Sequence, residues 1–345
     1  MVATSDEITL KVENLRAYYT SKKGLVKAVN NVSFEVRKGE SVGLFGESGA
    51  GKTSVALAIL GMFDNLSRYY ASTAANEENK RLWALKDEAL DDKEYKRILG
   101  NEITYVPQGT TKSLNPYSNI EEQTAEVLWA HDEDDELEEW QVMKRVLQTL
   151  DLVELGDVDI RKDMKPSQFS VGEDQRVLIA IALVSHPDLM IADEPTTAVD
   201  MGLQNRILDA IQIVRDELDL SMLLISNNQG TIAKTCDRVG VMTAGHIVEF
   251  GDTERVLNSP GHPFTRAFIM SNPSMELIRK IKEKGLRIRG IPGKPPDLSN
   301  PPRGCPFSER CDYVQDICRE KMPEYREIDK DYWILCHRYE ELPEW

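Results

Sequence analysis

The chain has 345 residues, 41% hydrophobic and 29% charged, with a formal net charge of −16. That is the composition of a folded protein of about two domains at roughly 100–200 residues each, and it excludes wholesale disorder. The acidic balance argues against a nucleic-acid partner, which demands a basic patch, and no apolar run approaches the ~18 residues of a membrane span.

The N-terminal Met1–Glu7 lacks the basic and apolar stretches of a leader peptide, so a cytoplasmic protein is expected. Residues 8–19 and 32–36 alternate apolar and polar, as strands do. Ser41–Phe45 reads as a short apolar strand and Thr53–Met62 as a helix. Between them, Gly46-Glu47-Ser48-Gly49-Ala50-Gly51-Lys52-Thr53 fits G-x-x-x-x-G-K-[ST]. In this strand–loop–helix context the glycines let backbone N–H groups face the phosphates of a nucleotide. The helix N-terminus adds positive potential, Lys52 reaches the phosphates, and Thr53 ligates Mg²⁺, with Ser54 beside it.

Residues 121–165 read as a helical segment, with an acidic turn or solvated face over His131–Glu139. Helix and strand alternate again over 177–250. Leu189–Ala192 and Met222–Ile225 have the continuous apolar character of buried parallel strands. Val239–Met242 and Ile247–Phe250 flank Gly245 as a hairpin. The strand Leu189–Ala192 runs into Asp193-Glu194-Pro195. Two carboxylates at such a strand end suit holding Mg²⁺ through its water shell (Asp193) and polarising an attacking water (Glu194).

After residue 260 proline and glycine become frequent, marking a linker and a small irregular module. Four of the five cysteines fall in this tail: Cys305, Cys311, Cys318 and Cys336, spaced C-x₅-C-x₆-C-x₁₇-C. In a reducing compartment such a cluster reads as metal-binding before disulfide. The spacing leaves iron–sulfur and zinc both open. Cys236 reads as a small buried apolar residue.

Gln108 and Ser113–Pro116 lie between the phosphate loop and the acidic strand, and Thr196-Thr-Ala-Val-Asp200 follows it. With these, the sequence resembles the nucleotide-binding subunits of ABC transporters over nearly its whole length. Gly261–Ala267, Pro292–Leu298 and the cysteine module are similar to the di- and oligopeptide importer branch. The resemblance implies an α/β fold: a P-loop ABC-type ATPase core with an N-terminal antiparallel β subdomain, an inserted α-helical subdomain and a small irregular cysteine-rich module. The implied domains are residues 1–260, with the helical insert at about 111–168, and residues 261–345. It implies Tyr19 as adenine-stacking aromatic, Gln108 as a Mg²⁺ ligand that senses the membrane partner, and Asp200 as a residue reaching toward a second ATPase subunit. Ser170 and Gly172 belong to the segment that binds the partner's ATP. For the four tail cysteines it implies a [4Fe–4S] cluster, with zinc the alternative. Implied partners are that second ATPase subunit, two transmembrane permease subunits and an extracytoplasmic substrate-binding protein, at the cytoplasmic face of the membrane. The cargo implied is peptides or related oligomers such as oligosaccharides.

Two departures from the family pattern stand out. The signature segment reads Phe169-Ser170-Val171-Gly172-Glu173, with a β-branched residue where glycine is usual and a carboxylate near a polyanion unless a partner residue neutralises it. In the switch loop, Ser226-Asn227-Asn228-Gln229, Asn227 takes the histidine position; an amide can donate to a phosphate oxygen but cannot become cationic. In a head-to-tail homodimer both defects would fall in both sites, so a heterodimer with a more regular ATPase subunit is expected. The retained Glu194 keeps hydrolysis in play. The runner-up is a regulatory subunit that holds ATP without hydrolysing it. A soluble ABC ATPase of translation or repair is a third reading, against which the single phosphate loop and the low basicity weigh.

Overall fold

A computed structural model describes residues 7–22, 24–62, 83–85, 97–109, 113–132, 136–196, 201–271, 278–279, 282–283, 288 and 290–343. The chain gathers into two compact units, each assembled from three separated stretches.

One unit draws on Met1–Leu10, Val36–Ser41 and Leu85–Leu224. Its strands are β5 (Ile103–Val106), β6 (Leu189–Asp193) and β7 (Ser221–Ser226, whose last two residues belong to the other unit), in the order β7-β6-β5. β5 and β6 run parallel, from Ile103 opposite Leu189 to Val106 opposite Ala192. Every residue of β6 and β7 is buried, as the unbroken apolar runs require of strands covered on both faces. The helices are α2 (Ile120–Trp129), α3 (Glu139–Leu152), α4 (Val158–Arg161), α5 (Val171–Leu183) and α6 (Met201–Leu218). α2 starts at a capping box: Glu122 N–H donates to Asn119 Oδ1 (2.7 Å) and Asn119 N–H donates back to Glu122 Oε2 (3.2 Å). Asp132, in the expected acidic turn, accepts the N–H groups of Glu136 and Leu137 at 3.0 Å each, leading the chain into α3. α3 buries Val142, Val146 and Leu150 at helical spacing while Trp140 stays exposed.

The other unit draws on Lys11–Glu35, Val42–Ala84 and Ile225–Trp345. It holds most of the three-stranded sheet β2-β1-β4, built from β1 (Ile8–Ser21), β2 (Gly24–Arg37) and β4 (Trp83–Leu85), whose residues 8–10, 36–37 and 85 belong to the first unit. Both long strands outrun the segments expected from alternation. β2 passes through Asn31 at φ 58°, a left-handed position that breaks the period-two pattern. A second sheet has the order β10-β11-β9-β8-β3, from β3 (Ser41–Gly46), β8 (Arg238–Thr243), β9 (His246–Asp252), β10 (Arg326–Asp329) and β11 (Tyr332–Ile334). β3 and β8 are parallel; the other neighbours are antiparallel. The expected β8–β9 hairpin turns through Ala244 and Gly245, both at positive φ (47° and 79°).

The helices of this unit are α1 (Lys52–Ile59), α7 (Gln229–Thr235), α8 (Thr253–Asn258), α9 (Pro263–Ser271) and α10 (Asp316–Glu320). α1 stops short of the expected Met62 because Gly61 turns the chain at φ 62°. Cys236 is buried, with its sulfur close against Gly43 of β3, as expected of a small apolar residue.

The tail is less irregular than its proline content suggests. β11 pairs with β9, Trp333 opposite Phe250, and the two rings stack at 5.7 Å and 10°. Glu249 of β9 is fully buried. It accepts the N–H groups of Gly261 (2.7 Å) and His262 (2.9 Å) and the hydroxyl of Tyr332 (2.8 Å), which ties β9 to the approach to α9 and to β11. Burial raises its carboxyl pKa despite these three donors.

Candidate functional site

The expected phosphate loop lies between β3 and α1. Lys52, first residue of α1, is buried and donates to the carbonyl oxygens of Gly46 (2.8 Å) and Glu47 (2.9 Å). Gly49 and Gly51 have φ of 78° and 103°, which L side chains rarely adopt. A Cβ on Gly51 would also strike the Ala28 carbonyl oxygen of β2, and one on Gly46 the Met242 carbonyl oxygen of β8. Ala50 lies buried behind the loop, its carbonyl accepting Gly245 N–H at 2.8 Å, while Ser48 and Gly49 form an exposed crest. Gly51 gives α1 no side-chain cap, so the first-turn N–H groups have no side-chain acceptor there. Thr53 and Ser54 sit half-buried in that first turn. This is the geometry of an anion site: a loop crest followed by uncapped amides and a buried ammonium. Tyr19 is half-buried near the end of β1, and its neighbour Tyr18 donates to Asn30 Oδ1 at 2.9 Å.

In the other unit β6 ends with Asp193 buried and Glu194 half-buried at φ 48°. Gln108, just beyond β5, donates from Nε2 to Glu194 Oε2 at 2.8 Å, bringing together two residues 86 positions apart. Burial and the facing Asp193 carboxylate hold the Tyr105 phenol well above its ordinary pKa. The loop after Gln108 is fastened to α2: Gln123 accepts Asn115 N–H (2.7 Å) and donates to the Asn115 carbonyl (3.1 Å).

The signature segment caps α5. Ser170 N–H and hydroxyl both donate to Glu173 Oε2, at 2.8 and 2.7 Å, and Arg161 of α4 pairs with the other carboxylate oxygen. Burial pushes the Glu173 carboxyl up, but those three donors outweigh it and hold it at about 2. The carboxylate expected to confront a polyanion is therefore folded back and neutralised by Arg161 of its own chain. The S-x-x-E spacing was the readable signal. Val171 is exposed at the helix start and Gly172 is buried behind it. Asn227 is exposed just beyond β7, and Asn228 caps α7 by accepting Gly230 N–H at 2.8 Å. Asp200 lies outside the described residues.

The four tail cysteines line one small cavity, about 20 Å³, together with His262 and Phe307. All four are free thiols. Cys305 N–H donates to the Cys318 carbonyl (2.8 Å), and Gly304 is forced because a Cβ would strike that same carbonyl. Tyr313 N–H and Arg338 N–H donate to the sulfurs of Cys311 and Cys336, each at 3.4 Å. Burial pushes the Cys305 thiol up to about 12 and the Cys311 thiol to about 11. His337 turns its Nε2 to the Lys321 carbonyl instead, at 2.9 Å. The four thiols face a common space, but among the described residues no group of three or more His, Cys, Asp or Glu side chains is drawn together as a ligand set for a metal ion. The expected iron–sulfur ligand geometry is thus not found.

Among the described residues no helix is long and apolar enough to cross a membrane. The chain matches the ABC transporter family over residues 29–197 and the oligopeptide/dipeptide transporter C-terminal region over 248–318. It is 36% identical to the dipeptide transport ATP-binding protein DppD of Bacillus subtilis, over 92% of this chain and 90% of that one. It is 34% identical to the oligopeptide transport ATP-binding protein OppD of Salmonella typhimurium, with the same coverage. Among solved structures, the bacterial ABC transporter cassette MJ0796 aligns at TM-score 0.58 and 24% identity, over 71% of this chain and 98% of that one. CbiO1 of Clostridium perfringens aligns at TM-score 0.60 and 21% identity, over 81% and 96%; these two likenesses speak to the fold alone. The phosphate loop, the acidic strand end and these matches together place the chain in the family of ATP-binding subunits of oligopeptide and dipeptide ABC transporters.

Proposed function

We propose that this chain powers the uptake of peptides or related oligomers by binding and hydrolysing ATP at the cytoplasmic face of a membrane, on two transmembrane permease subunits fed by an extracytoplasmic binding protein. The observation that carries the ATPase reading is the Gln108–Glu194 hydrogen bond, which holds a carboxylate ready at the end of a buried acidic strand. In this reading residues 46–54 cradle the phosphates and Tyr19 stacks on adenine. Thr53 and Gln108 ligate Mg²⁺, Asp193 holds its water shell, and Glu194 polarises the attacking water. Residues 1–260 form the nucleotide-binding domain, with a helical insert at about 111–168, and residues 261–345 the extension. The chain works in a head-to-tail pair with a second, more regular ATPase subunit. Its own site is slow because Asn227 replaces an imidazole, and Asp200 reaches toward the partner. Ser170 and Gly172 approach the partner's ATP past Val171.

The decisive measurement is ATP turnover by the assembled transporter carrying Glu194→Gln in this chain alone. A partial fall in turnover is expected of a slow but working site; collapse would show that Asn227 is a tolerated substitution. Unchanged turnover with ATP still bound would make this chain a nucleotide-holding regulator.

What supports a metal reading of the tail is the kind of donor rather than its geometry: four thiols line one cavity and N–H groups donate to two of the sulfurs, though they are not drawn together as a ligand set. We assign Cys305, Cys311, Cys318 and Cys336 to a [4Fe–4S] cluster, with zinc the alternative. Bound there, either would supply metal–thiolate bonds that cross-link the tail, with loss of the thiol protons that burial holds on Cys305 and Cys311. Iron, sulfide and zinc content of anaerobically purified protein decides between them, and the absence of all three would reject the assignment.

A further inference from the structure

Glu47, second residue of the phosphate loop, is held by a residue of the cysteine module. Arg310 donates from both terminal nitrogens to the two carboxylate oxygens of Glu47, at 2.8 and 2.9 Å, across 263 positions of sequence. Both side chains are nearly buried, at 6% and 13% exposure, so this is a fork-on-fork ion pair shielded from water. Thr243, at the end of β8, donates to the same Glu47 oxygen at 3.0 Å.

Arg310 is itself immobilised on the module. It ends the 3₁₀ turn Ser308–Arg310 and directly precedes Cys311. Its Nε donates to the Pro292 carbonyl (3.1 Å), its N–H donates to the Phe307 carbonyl (3.0 Å), and its guanidinium lies 5.7 Å from the Phe307 ring centroid. Phe307 and the four cysteines line one cavity. On the loop side, the Glu47 carbonyl is one of the two that hold the Lys52 ammonium. Arg310 thus adjoins the cysteine cavity through its neighbour Cys311 and through Phe307, and it reaches the loop's lysine through Glu47, whose carboxylate it holds and whose carbonyl accepts from Lys52.

We propose that Arg310 is a positioning residue for the phosphate loop, and that through it the thiol centre and the nucleotide site are linked. The proposal rests on the reading that residues 46–54 bind ATP. Displacing the module withdraws the guanidinium, leaves Glu47 as a buried carboxylate beside the phosphate position, and repels the nucleotide. By linkage the effect is reciprocal: bound ATP steadies the module and shields its thiols.

The test uses the full-length chain as purified, with two readouts: equilibrium binding of Mg²⁺-ATP, and the rate at which Cys305, Cys311, Cys318 and Cys336, released from any bound metal as the module opens, react with Ellman's reagent, followed peptide by peptide. Arg310→Ala is expected to weaken binding at least about fivefold, the lower end of typical coupling. In the Glu47→Gln background, which removes the carboxylate, Arg310→Ala should cost little more. Arg310→Lys, which keeps the charge but not the fork, should fall between and guards against a folding defect. ATP should slow thiol labelling in the native chain, and this slowing should vanish in Arg310→Ala even at saturating ATP. The proposal is overturned if Arg310→Lys and Arg310→Ala lower the melting temperature yet bind ATP as the native chain does and keep ATP-dependent thiol protection. If the native chain and Lys52→Ala bind ATP equally, the loop is not the nucleotide site, and both readings fall together.

Discussion

Single residues at the N-terminus of α5 decide how this chain presents its signature segment. Glu173 is held near 2 rather than its ordinary 4.5 by Ser170 and Arg161. The stability it contributes is thus whole above about pH 4.5 and drains as pH falls toward 2. Urea midpoints at pH 6 and pH 3 should therefore converge when Glu173→Gln is compared with the native chain. At pH 6 the variant should lose about 1 kcal/mol through the weakened cap and the orphaned Arg161. Lys52→Ala should cut ATP affinity by at least about tenfold, the worth of one charge-assisted contact to phosphate; equilibrium dialysis checks it. The loop and the paired carboxylates stood out because each is a local pattern with one chemical purpose, whereas Gln108 was picked out only through the family resemblance. The fate of Glu173 was half-legible: its capping box lies within four residues, but its neutralisation depends on Arg161, twelve positions earlier on another helix. The Arg310–Glu47 pair was invisible, since nothing local couples residues 263 apart.

Among elements, the tail strands departed most from expectation. β10 and β11 have four and three residues, too few for period-two alternation to register, and they are framed by proline-rich sequence. They are fixed by the buried Glu249 and by aromatic packing: Trp333 on Phe250, and the Arg255 guanidinium 4.0 Å from the Tyr332 ring centroid. Tyr332→Phe should cost about 1 kcal/mol by removing one donor to Glu249. Glu249→Ala leaves three buried donors without that acceptor and should cost about 3 kcal/mol or more. Differential scanning calorimetry of the two variants should rank them in that order. β6 and β7 matched their reading within one residue at either end, because strands buried on both faces must be apolar throughout.

For the whole molecule, the division of labour between this chain and its expected partner is the open chemistry. Val171 stands exposed where glycine is usual, and Asn227 is exposed where an imidazole is usual. The chain by itself should hydrolyse ATP at no more than about a tenth of the rate of the assembled transporter, since general acid–base groups typically contribute about 10²–10⁴-fold. Steady-state phosphate release from the two preparations measures this, and a fully active homodimer would contradict the expected pairing. The α/β order of the chain could be read in advance because hydrophobic periodicity is local. The interleaving of three separated stretches into each unit could not, because only the folded chain brings them together.

The β9–β11 pairing bears on how the protein behaves when damaged. β11 pairs with the Val248–Phe250 stretch of β9, a strand whose residues His246–Gly251 are all buried. A chain clipped before residue 326 would leave the Val248–Phe250 stretch of β9 unpaired, with the buried Val248 and Phe250 uncovered and able to recruit a strand from another molecule. Proteolysis within the tail should therefore appear first as self-association, before any loss of the ATPase core.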